Sequence, residues 1–354
     1  MSDPAVTREV SSVDRPAVSF LCTAYRTEQY LPATIRSVLD QTRTDWELVV
    51  VDNGMSDAIR DIVEEHADPR IVLVRQENRG MEGGVQAAAA AASGRYVAVL
   101  NSDDQITPRY TERMVALLDE NPGVDVVDCD AYVVDGRTGT HRRRTFRRAL
   151  GYRSTPSFSH RLTLADVVDG TAIYYTAIMR REAWDRVGGF VDGAGLADTA
   201  MWMRLLGAGA DIRQIPDPLC RYLHRNDSLS RSPESAARFQ AEQERAFIAG
   251  AAGSDDPAVL EALARRLRSL RYHEALRRAR SALLEGDAVA ARAAADSAVS
   301  NSTKARTRAR ALAVAAAVRV APHVLTAAWP LKQRVTRRVT EIAGKVAAAR
   351  RGDA

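Results

Sequence analysis

Two adjacent carboxylates, Asp103 and Asp104, follow the apolar segment Tyr96–Leu100, which is predicted to be a buried strand. Adjacent carboxylates at the rim of a buried sheet repel each other unless a cation or hydrogen-bond donors stabilise them. Divalent cations bind through one or two carboxylates together with the phosphate oxygens of a substrate. The pair therefore predicts a site for a metal and a diphosphate. The alternative is a solvated loop in which an Asp caps the helix after Pro108.

Polar residues also follow two earlier predicted strands. Cys22-Thr23-Ala24-Tyr25 ends the first, and Asp52-Asn53-Gly54 ends the second. In an open parallel sheet, ligands bind beyond the carboxyl ends of the strands, so we expect all three polar groups along one edge. No GxGxxG motif follows the first strand and no GxxxxGK[ST] motif occurs in the chain, which argues against a dinucleotide or P-loop site.

The elements that position these groups are predicted from apolar spacing between Pro16 and about Asp130. Unbroken Val and Leu runs suit strands that are covered on both faces. Helical patterns separate them, and this alternation predicts an α/β fold with a doubly wound, mostly parallel sheet flanked by helices. The predicted strands are Val18–Ala24, Trp46–Val51, Ile71–Val74 and Tyr96–Leu100.

Residues 131–165 have weak patterning and are predicted to form a loop region over the site. The segment contains five arginines, at positions 142, 143, 144, 147 and 148. Such a run is usually solvated; the alternative is that it binds an acceptor that carries phosphate.

The composition excludes several protein classes. With 354 residues, 46% hydrophobic and 27% charged, the chain is neither collagen-like nor largely disordered. Three scattered cysteines, Cys22, Cys129 and Cys220, support neither a disulfide framework nor a cysteine zinc site. Residues 1–15 lack the apolar core of a secretory signal peptide, so we expect a cytoplasmic protein.

Charge and composition divide the chain. Residues 301–354 hold twelve Lys or Arg and two acidic residues, a charge of +10, whereas the other 300 residues carry −5. The acidic body argues against nucleic acid as a partner. We predict a disordered N-terminus over 1–15, the α/β domain over 16–232, an all-helical extension over 233–300 and a basic amphipathic helical tail over 301–354.

The tail has two interpretations. Its apolar face, with Ala311, Val314, Val318 and Trp329, predicts peripheral contact with the inner face of an anionic membrane. The alternative is an ordinary helix packed on the α/β domain with solvated charges. Arg319 and Pro322 interrupt the stretch too strongly for a spanning helix.

From Val18 to about Ser230 the sequence resembles the family 2 inverting glycosyltransferases, which have the GT-A nucleotide-sugar-binding fold. The resemblance rests on an ordered set of motifs across about two-thirds of the chain. They are TAYRTEQYLPATIRSVLDQTRTDWELVVVDNGMSD, RQENRG, YVAVLNSDD, REAWDRVGGF, ADTAMWMRL and YLHRNDSLS.

The resemblance implies a role for each matching residue. Asp198 matches the general base, and His224 matches a loop that can touch the metal or the diphosphate. The metal, Mg²⁺ or Mn²⁺, would be held by Asp103, Asp104 and His224. The positions that match nucleotide-sugar-binding residues are Thr23, Ala24, Tyr25, Asp52, Asn78, Arg79, Asn101, Ser102 and Asp103.

Two departures bear on this assignment. Asn101 replaces the first Asp of the family's DxD motif, which removes a charge from the metal site, and Ala197 replaces the Glu beside the base. Structural alternatives also stand: Asp52 and Asp198 could cap helices, and His224 could be structural.

The sequence thus predicts an inverting glycosyltransferase that moves a sugar from a nucleotide-sugar donor to a saccharide or lipid-linked acceptor hydroxyl, in cell-envelope polysaccharide or glycoconjugate synthesis. One alternative is a metal-dependent nucleotidyltransferase, which would need a Gly-rich basic loop where the chain has Thr23–Glu28. The other is a nucleotide-sugar-binding module without turnover.

Overall fold

The computed structural model describes residues 15–320 except 137, 152–154, 192, 194–195 and 226–235. The chain divides into two compact units, residues 1–263 and 264–354. The boundaries predicted at 15, 232 and 300 remain predictions.

The first unit contains a sheet whose nine strands alternate with helices along the chain. The strands are β1 (Val18–Ala24), β2 (Trp46–Asn53), β3 (Ile71–Gln76), β4 (Tyr96–Val99), β5 (Gln105–Ile106), β6 (Val126–Asp135), β7 (His141–Thr145), β8 (Ile178–Arg180) and β9 (Ile212–His224). The helices are α1 (Leu31–Leu39), α2 (Asp57–Glu65), α3 (Gly80–Ala91), α4 (Tyr110–Glu120), α5 (Phe146–Leu150), α6 (Leu164–Asp169), α7 (Arg181–Val187), α8 (Ala197–Gly207) and α9 (Ala236–Ala251).

The sheet has a parallel half and a mixed half. The strand order is β3-β2-β1-β4-β8-β6-β9-β5, and β7 pairs with β6 outside this path. The first four strands are mutually parallel, whereas β8 runs antiparallel to both β4 and β6. Strand β9 lies parallel to β6 and antiparallel to β5. The predicted α/β sheet with flanking helices is confirmed, and its parallel part lies where the unbroken apolar runs are.

The parallel half is buried because helices cover it. Every residue of β2 is buried, as is every residue of β1 except Thr23, which is half-buried. Phe20 of β1 packs in one cluster with Ile35 of α1, Ile59 of α2 and Met114 of α4. Burial on both faces explains why the period-two alternation of a half-solvated strand is missing from these segments.

The loop predicted over 131–165 is wrong for most of this segment. It contains the end of β6, all of β7 and α5, and the start of α6. The strand β7 was not predicted because His141–Arg144 are all exposed and polar, so the segment lacks the apolar alternation that indicates a strand. Arg147, one of the five arginines, is buried.

The second unit begins inside α10 (Pro257–Leu284) and continues with α11 (Ala288–Ser300) and α12 (Ala305–Val320). Asp287 caps α11 by accepting a hydrogen bond from Ala290 N at 2.9 Å. Ala311 and Val318, on the predicted membrane-binding face of the tail, are buried against α10 and α11. The predicted helical extension is therefore confirmed, while residues 321–354 lie outside the described part of the chain. No helix among the described residues is long and apolar enough to cross a membrane.

Candidate functional site

Asp52, at the carboxyl end of β2, has both of its oxygens engaged. Its Oδ1 accepts a hydrogen bond from Ser56 N at 3.0 Å, in the turn that leads into α2. Its Oδ2 lies 3.0 Å from Nε of Arg75, its cross-strand neighbour on β3. Asp52 is fully buried whereas Arg75 is partly exposed. The carboxylate is thus held rigid, with a partly exposed guanidinium beside it that also pairs with Asp57 at 3.2 Å.

Asn53 organises the turn that contains Asn78 and Arg79, two of the positions that the resemblance assigns to nucleotide-sugar binding. Its Oδ1 accepts hydrogen bonds from Arg79 N at 3.1 Å and from Gln76 Nε2 at 2.8 Å. Its Nδ2 donates to Gly80 O at 2.8 Å. Asn78 and Arg79, both exposed, are therefore held by a buried side chain. This role was not predicted from the sequence, where the only signal is that Asn53 belongs to the polar group that ends a buried strand.

The end of β1 presents an unsatisfied hydroxyl. Oγ1 of Thr23 is buried and has no hydrogen-bond partner among the described residues. Ala24 beside it is buried, and Tyr25 is 41% exposed. A Cβ at Gly84 on α3 would lie 2.3 Å from Thr23 Cγ2, so only glycine permits this close approach. The hydroxyl is therefore a hydrogen-bonding group that a ligand could satisfy.

The segment Asn101–Asp104 forms a tight turn after β4. Asp104 N donates to Asn101 O at 3.0 Å, and the hydroxyls of Ser102 and Thr27 lie 2.9 Å apart. Thr34 on α1 donates its hydroxyl to Asp104 O at 2.8 Å. These bonds hold the two carboxylates of the turn in different environments.

Asp104 is buried and faces β9. Its Oδ1 accepts a hydrogen bond from Leu223 N at 2.7 Å, and its Oδ2 has no hydrogen-bond partner in the described part of the chain. Burial and the neighbouring charge of Asp103 raise the pKa of Asp104 well above its ordinary value, although Leu223 N–H and Arg225 oppose the shift. Asp103 is 22% exposed, and its Oδ2 lies 3.5 Å from Nη1 of Arg225. Asp103 is thus the accessible carboxylate and Asp104 the buried one.

The predicted metal set of Asp103, Asp104 and His224 is not assembled. In the described part of the chain, no three His, Cys, Asp or Glu side chains form a group that could hold a metal. Oδ1 of Asp104 accepts the hydrogen bond from Leu223 N, and Nδ1 of His224 lies 2.9 Å from Nη2 of Arg142. A single accessible carboxylate, Asp103, fits a cation whose remaining ligands are water and substrate phosphate oxygens.

Asp198 is the second residue of α8 and is half-buried. Its Oδ1 accepts hydrogen bonds from Thr199 N at 2.6 Å and Thr199 Oγ1 at 3.3 Å. Burial raises the pKa of Asp198, and the bonds from Thr199 oppose that shift. The cap position of α8 is Leu196, so the alternative role of Asp198 as the N-cap is wrong. A carboxyl with a raised pKa suits a general base.

A cavity of about 350 Å³ lies between β5, the β6–β7 hairpin and β9. Asp103 is one of the residues that line it, so the cavity adjoins the accessible carboxylate. The residues that line it are Asp103, Gln105, Val134, Gly139, His141, Arg221 and Leu223.

Comparison with known proteins assigns this arrangement to a family. Residues 19–188 match the model of glycosyl transferase family 2. The chain is 28% identical to the putative teichuronic acid biosynthesis glycosyltransferase TuaG of Bacillus subtilis, over 63% of this chain and 85% of that protein. It is 36% identical to the putative glycosyltransferase EpsH of the same organism, over 33% of this chain. That match spans only 34% of EpsH.

Two solved structures share the fold. TarS of S. aureus in complex with UDP-GlcNAc superposes with a TM-score of 0.59 at 17% identity, over 89% of this chain and 92% of that one. The mannosyltransferase PcManGT of Pyrobaculum calidifontis, in complex with GDP-Man and Mn²⁺, superposes with a TM-score of 0.56 at 19% identity, over 88% of this chain and 84% of that one. With a GT-A-type sheet and the family's sequence pattern, residues 19–188 of this chain are a glycosyl transferase family 2 domain.

Proposed function

We propose that the protein is an inverting glycosyltransferase that uses a nucleotide-sugar donor and acts in polysaccharide biosynthesis. The observation that carries the proposal is the difference in exposure between the two carboxylates after β4. Asp104 is buried, whereas Asp103 remains accessible beside a cavity. An accessible carboxylate at the carboxyl end of a parallel sheet is where a diphosphate and its cation bind. The names of TuaG and PcManGT support the same class of reaction, and the nucleotide sugars bound to TarS and PcManGT support the donor class.

The donor would bind across the ends of β1, β2 and β3. The free hydroxyl of Thr23 is available to the nucleotide, and the Asp52–Arg75 pair provides a fixed carboxylate with a partly exposed cation beside it. Asn53 holds Asn78 and Arg79 at the rim, where Arg79 can pair with phosphate. These groups bind and orient the donor, so the anomeric carbon is placed near Asp103.

The residue that would hold a divalent cation, Mg²⁺ or Mn²⁺, is Asp103. When bound there, the cation neutralises charge on the nucleoside diphosphate leaving group. Because Asn101 replaces an acidic residue and Asp104 is buried, the protein supplies few charged ligands of its own. We therefore expect the cation to bind together with the donor.

Asp198 is the proposed general base. The acceptor hydroxyl gives its proton to the Asp198 carboxylate while its oxygen bonds to the anomeric carbon. The bond from that carbon to the diphosphate breaks, and the electron pair leaves with the diphosphate. Since the acceptor attacks opposite the leaving group, the configuration at the anomeric carbon inverts.

The two alternatives make different products. A nucleotidyltransferase joins a nucleoside triphosphate to a sugar phosphate and releases pyrophosphate from the triphosphate. Such an enzyme would need a Gly-rich basic loop, which Thr23–Glu28 does not provide. A binding module without turnover releases nothing. The half-buried Asp198, whose pKa burial raises, favours catalysis over binding alone.

The test is a panel of nucleotide sugars assayed for nucleoside diphosphate release with Mn²⁺ and with EDTA. We expect one donor to be consumed with Mn²⁺, and NMR of the product to show the inverted anomer. Pyrophosphate release from a triphosphate, or binding without any release, would replace the proposal with the corresponding alternative.

A further inference from the structure

Most of the residues that line the cavity beside Asp103 belong to two rows that cross neighbouring strands. Gln105, Arg221 and Tyr132 are register partners on β5, β9 and β6. One step further along, Leu223 of β9 pairs with Val134 of β6, and Val134 pairs with His141 of β7. Residues two apart on a strand share a face, so both rows lie on the same face of the sheet.

Arg221 brings an uncompensated positive charge to this cavity. The side chain is half-buried, and it forms no hydrogen bond or ion pair with any described residue. Among the described residues that line the cavity, Asp103 is the one acid, and it is paired with Arg225. A partly desolvated guanidinium without a counter-ion is costly unless an anion binds it.

Neighbouring groups add further donors and an aromatic surface. The amide of Gln105 makes no hydrogen bond to a described residue. The rings of His141 and Tyr132 lie 5.3 Å apart, and Tyr132 is 37% exposed beside Arg221. Arg142 fixes this edge of the hairpin through Asp135 at 3.2 Å and His224 Nδ1 at 2.9 Å. A cation, an amide and an accessible aromatic ring together suit a saccharide that carries an anionic group.

The position of the cavity favours the acceptor over the donor. The proposed donor residues end β1, β2 and β3, whereas the cavity lies among β5, β6, β7 and β9 in the other half of the sheet. Asp103, the proposed diphosphate end of the donor site, stands at the junction. In an in-line displacement the acceptor enters from the side opposite the leaving group. This inference rests on the proposed glycosyl transfer.

We propose that this cavity is an acceptor subsite that binds the carboxylate or phosphate of an anionic saccharide through Arg221. Gln105 and His141 donate further hydrogen bonds to the anionic group, and Tyr132 packs against the sugar ring. The enzyme would therefore prefer acceptors with a negative charge on the accepting sugar or next to it.

The test measures binding of three probes by calorimetry: phenyl β-glucoside, phenyl β-glucuronide and glucose 6-phosphate. We expect at least one charged sugar to bind the wild-type protein about tenfold or more tightly than the neutral glucoside, which is the size of one charge-assisted hydrogen bond. The glucuronide and the phosphate separate the two anionic groups. Arg221→Gln should abolish the preference, and Arg221→Lys should partly restore it.

Arg113→Gln is the matched control. Arg113 is an exposed arginine on α4, outside the residues that line the cavity, so its loss should leave the preference intact. Equal affinity for neutral and charged sugars in the wild-type protein would overturn the inference.

Binding of UDP and GDP is measured separately with Mn²⁺. If Arg221→Gln weakens nucleotide binding and leaves sugar binding unchanged, Arg221 belongs to the donor site and the inference is wrong. If charged sugars bind through Arg221 but no nucleotide sugar is consumed, the anion site stands and the proposed function fails.

Discussion

The guanidinium of Arg147 on α5 lies 2.5 Å from Oδ2 of Asp128 on β6, and both side chains are buried. Gln214 of β9 donates to the same oxygen at 2.6 Å, and Tyr174 N donates to Oδ1 at 3.1 Å. Arg147 also donates to Ile215 O at 2.9 Å. One ion pair therefore ties α5 to the β6–β9 pair, and β7, which directly precedes α5, carries His141 into the cavity beside Asp103.

The first prediction concerns this pair. Arg147→Met leaves the Asp128 carboxylate buried without its counter-ion, which typically costs about 3–5 kcal/mol. Urea unfolding should show that loss, whereas Arg144→Met, in the same arginine run but exposed, should be nearly neutral. Similar stability of the two variants would mean that Arg147 adds nothing to folding.

The second prediction concerns the proposed base. Asp198→Asn should lower turnover roughly 10²-fold or more, because the amide cannot accept the acceptor's proton. Donor binding measured by calorimetry should be unchanged, and Asp61→Asn on the exposed face of α2 serves as the control. Equal losses in donor affinity and turnover would show that Asp198 acts in structure rather than in chemistry.

The third prediction follows from the raised pKa of Asp198. Below this pKa the carboxyl is protonated and cannot act as a base, so turnover should rise with pH through a value above the ordinary Asp pKa. The folded state holds this proton more tightly than the unfolded state does. The contribution of Asp198 to the free energy of unfolding is therefore present at low pH and is lost as pH rises through its pKa in the folded state. Asp198→Asn should therefore gain stability relative to the wild-type protein as pH rises from 4 towards 7. A stability difference that stays constant with pH would contradict this.

The fourth prediction separates the two adjacent carboxylates. Asp103→Asn should abolish transfer and weaken Mn²⁺-dependent binding of nucleoside diphosphate, while the melting temperature stays close to that of the wild-type protein, because Asp103 is partly exposed. The wild-type enzyme should need millimolar rather than micromolar cation, since the protein offers one accessible carboxylate. Full activity in excess EDTA would contradict the proposal that a divalent cation binds at Asp103.

The fifth prediction concerns residues 264–354, which contain 20 Lys or Arg and six acidic residues. We expect the protein to sediment with vesicles that contain anionic lipid, and salt to release it, because each basic residue near such a surface contributes about 1 kcal/mol. Deleting 321–354 should weaken sedimentation and leave donor binding unchanged. This deletion spares α12, whose Ala311 and Val318 are buried in the second unit. Full-length protein that stays in the supernatant at low salt would exclude the membrane contact.

Much of the parallel half was predictable from local pattern. The segments that became β1 and β2 are long Val-rich and Leu-rich runs, and such runs are compatible with few structures other than a strand covered on both faces. The polar residues at the ends of β1, β2 and β4, among them Thr23, Asp52 and Asp103, were therefore predictable as one group at the sheet edge. Local pattern and family resemblance are properties of the sequence alone, so both can be recognised before any contact is known.

Only the tertiary structure separated the two carboxylates of the turn and placed Arg147. Asp103 and Asp104 are identical in sequence terms, and the amide of Leu223, over a hundred residues away, decides which one is buried. Arg147 and Arg144 belong to one basic run, yet Arg147 is buried in an ion pair with Asp128 whereas Arg144 is exposed to solvent. Desolvation and pairing depend on partners that come together only when distant strands meet, and no local period records them.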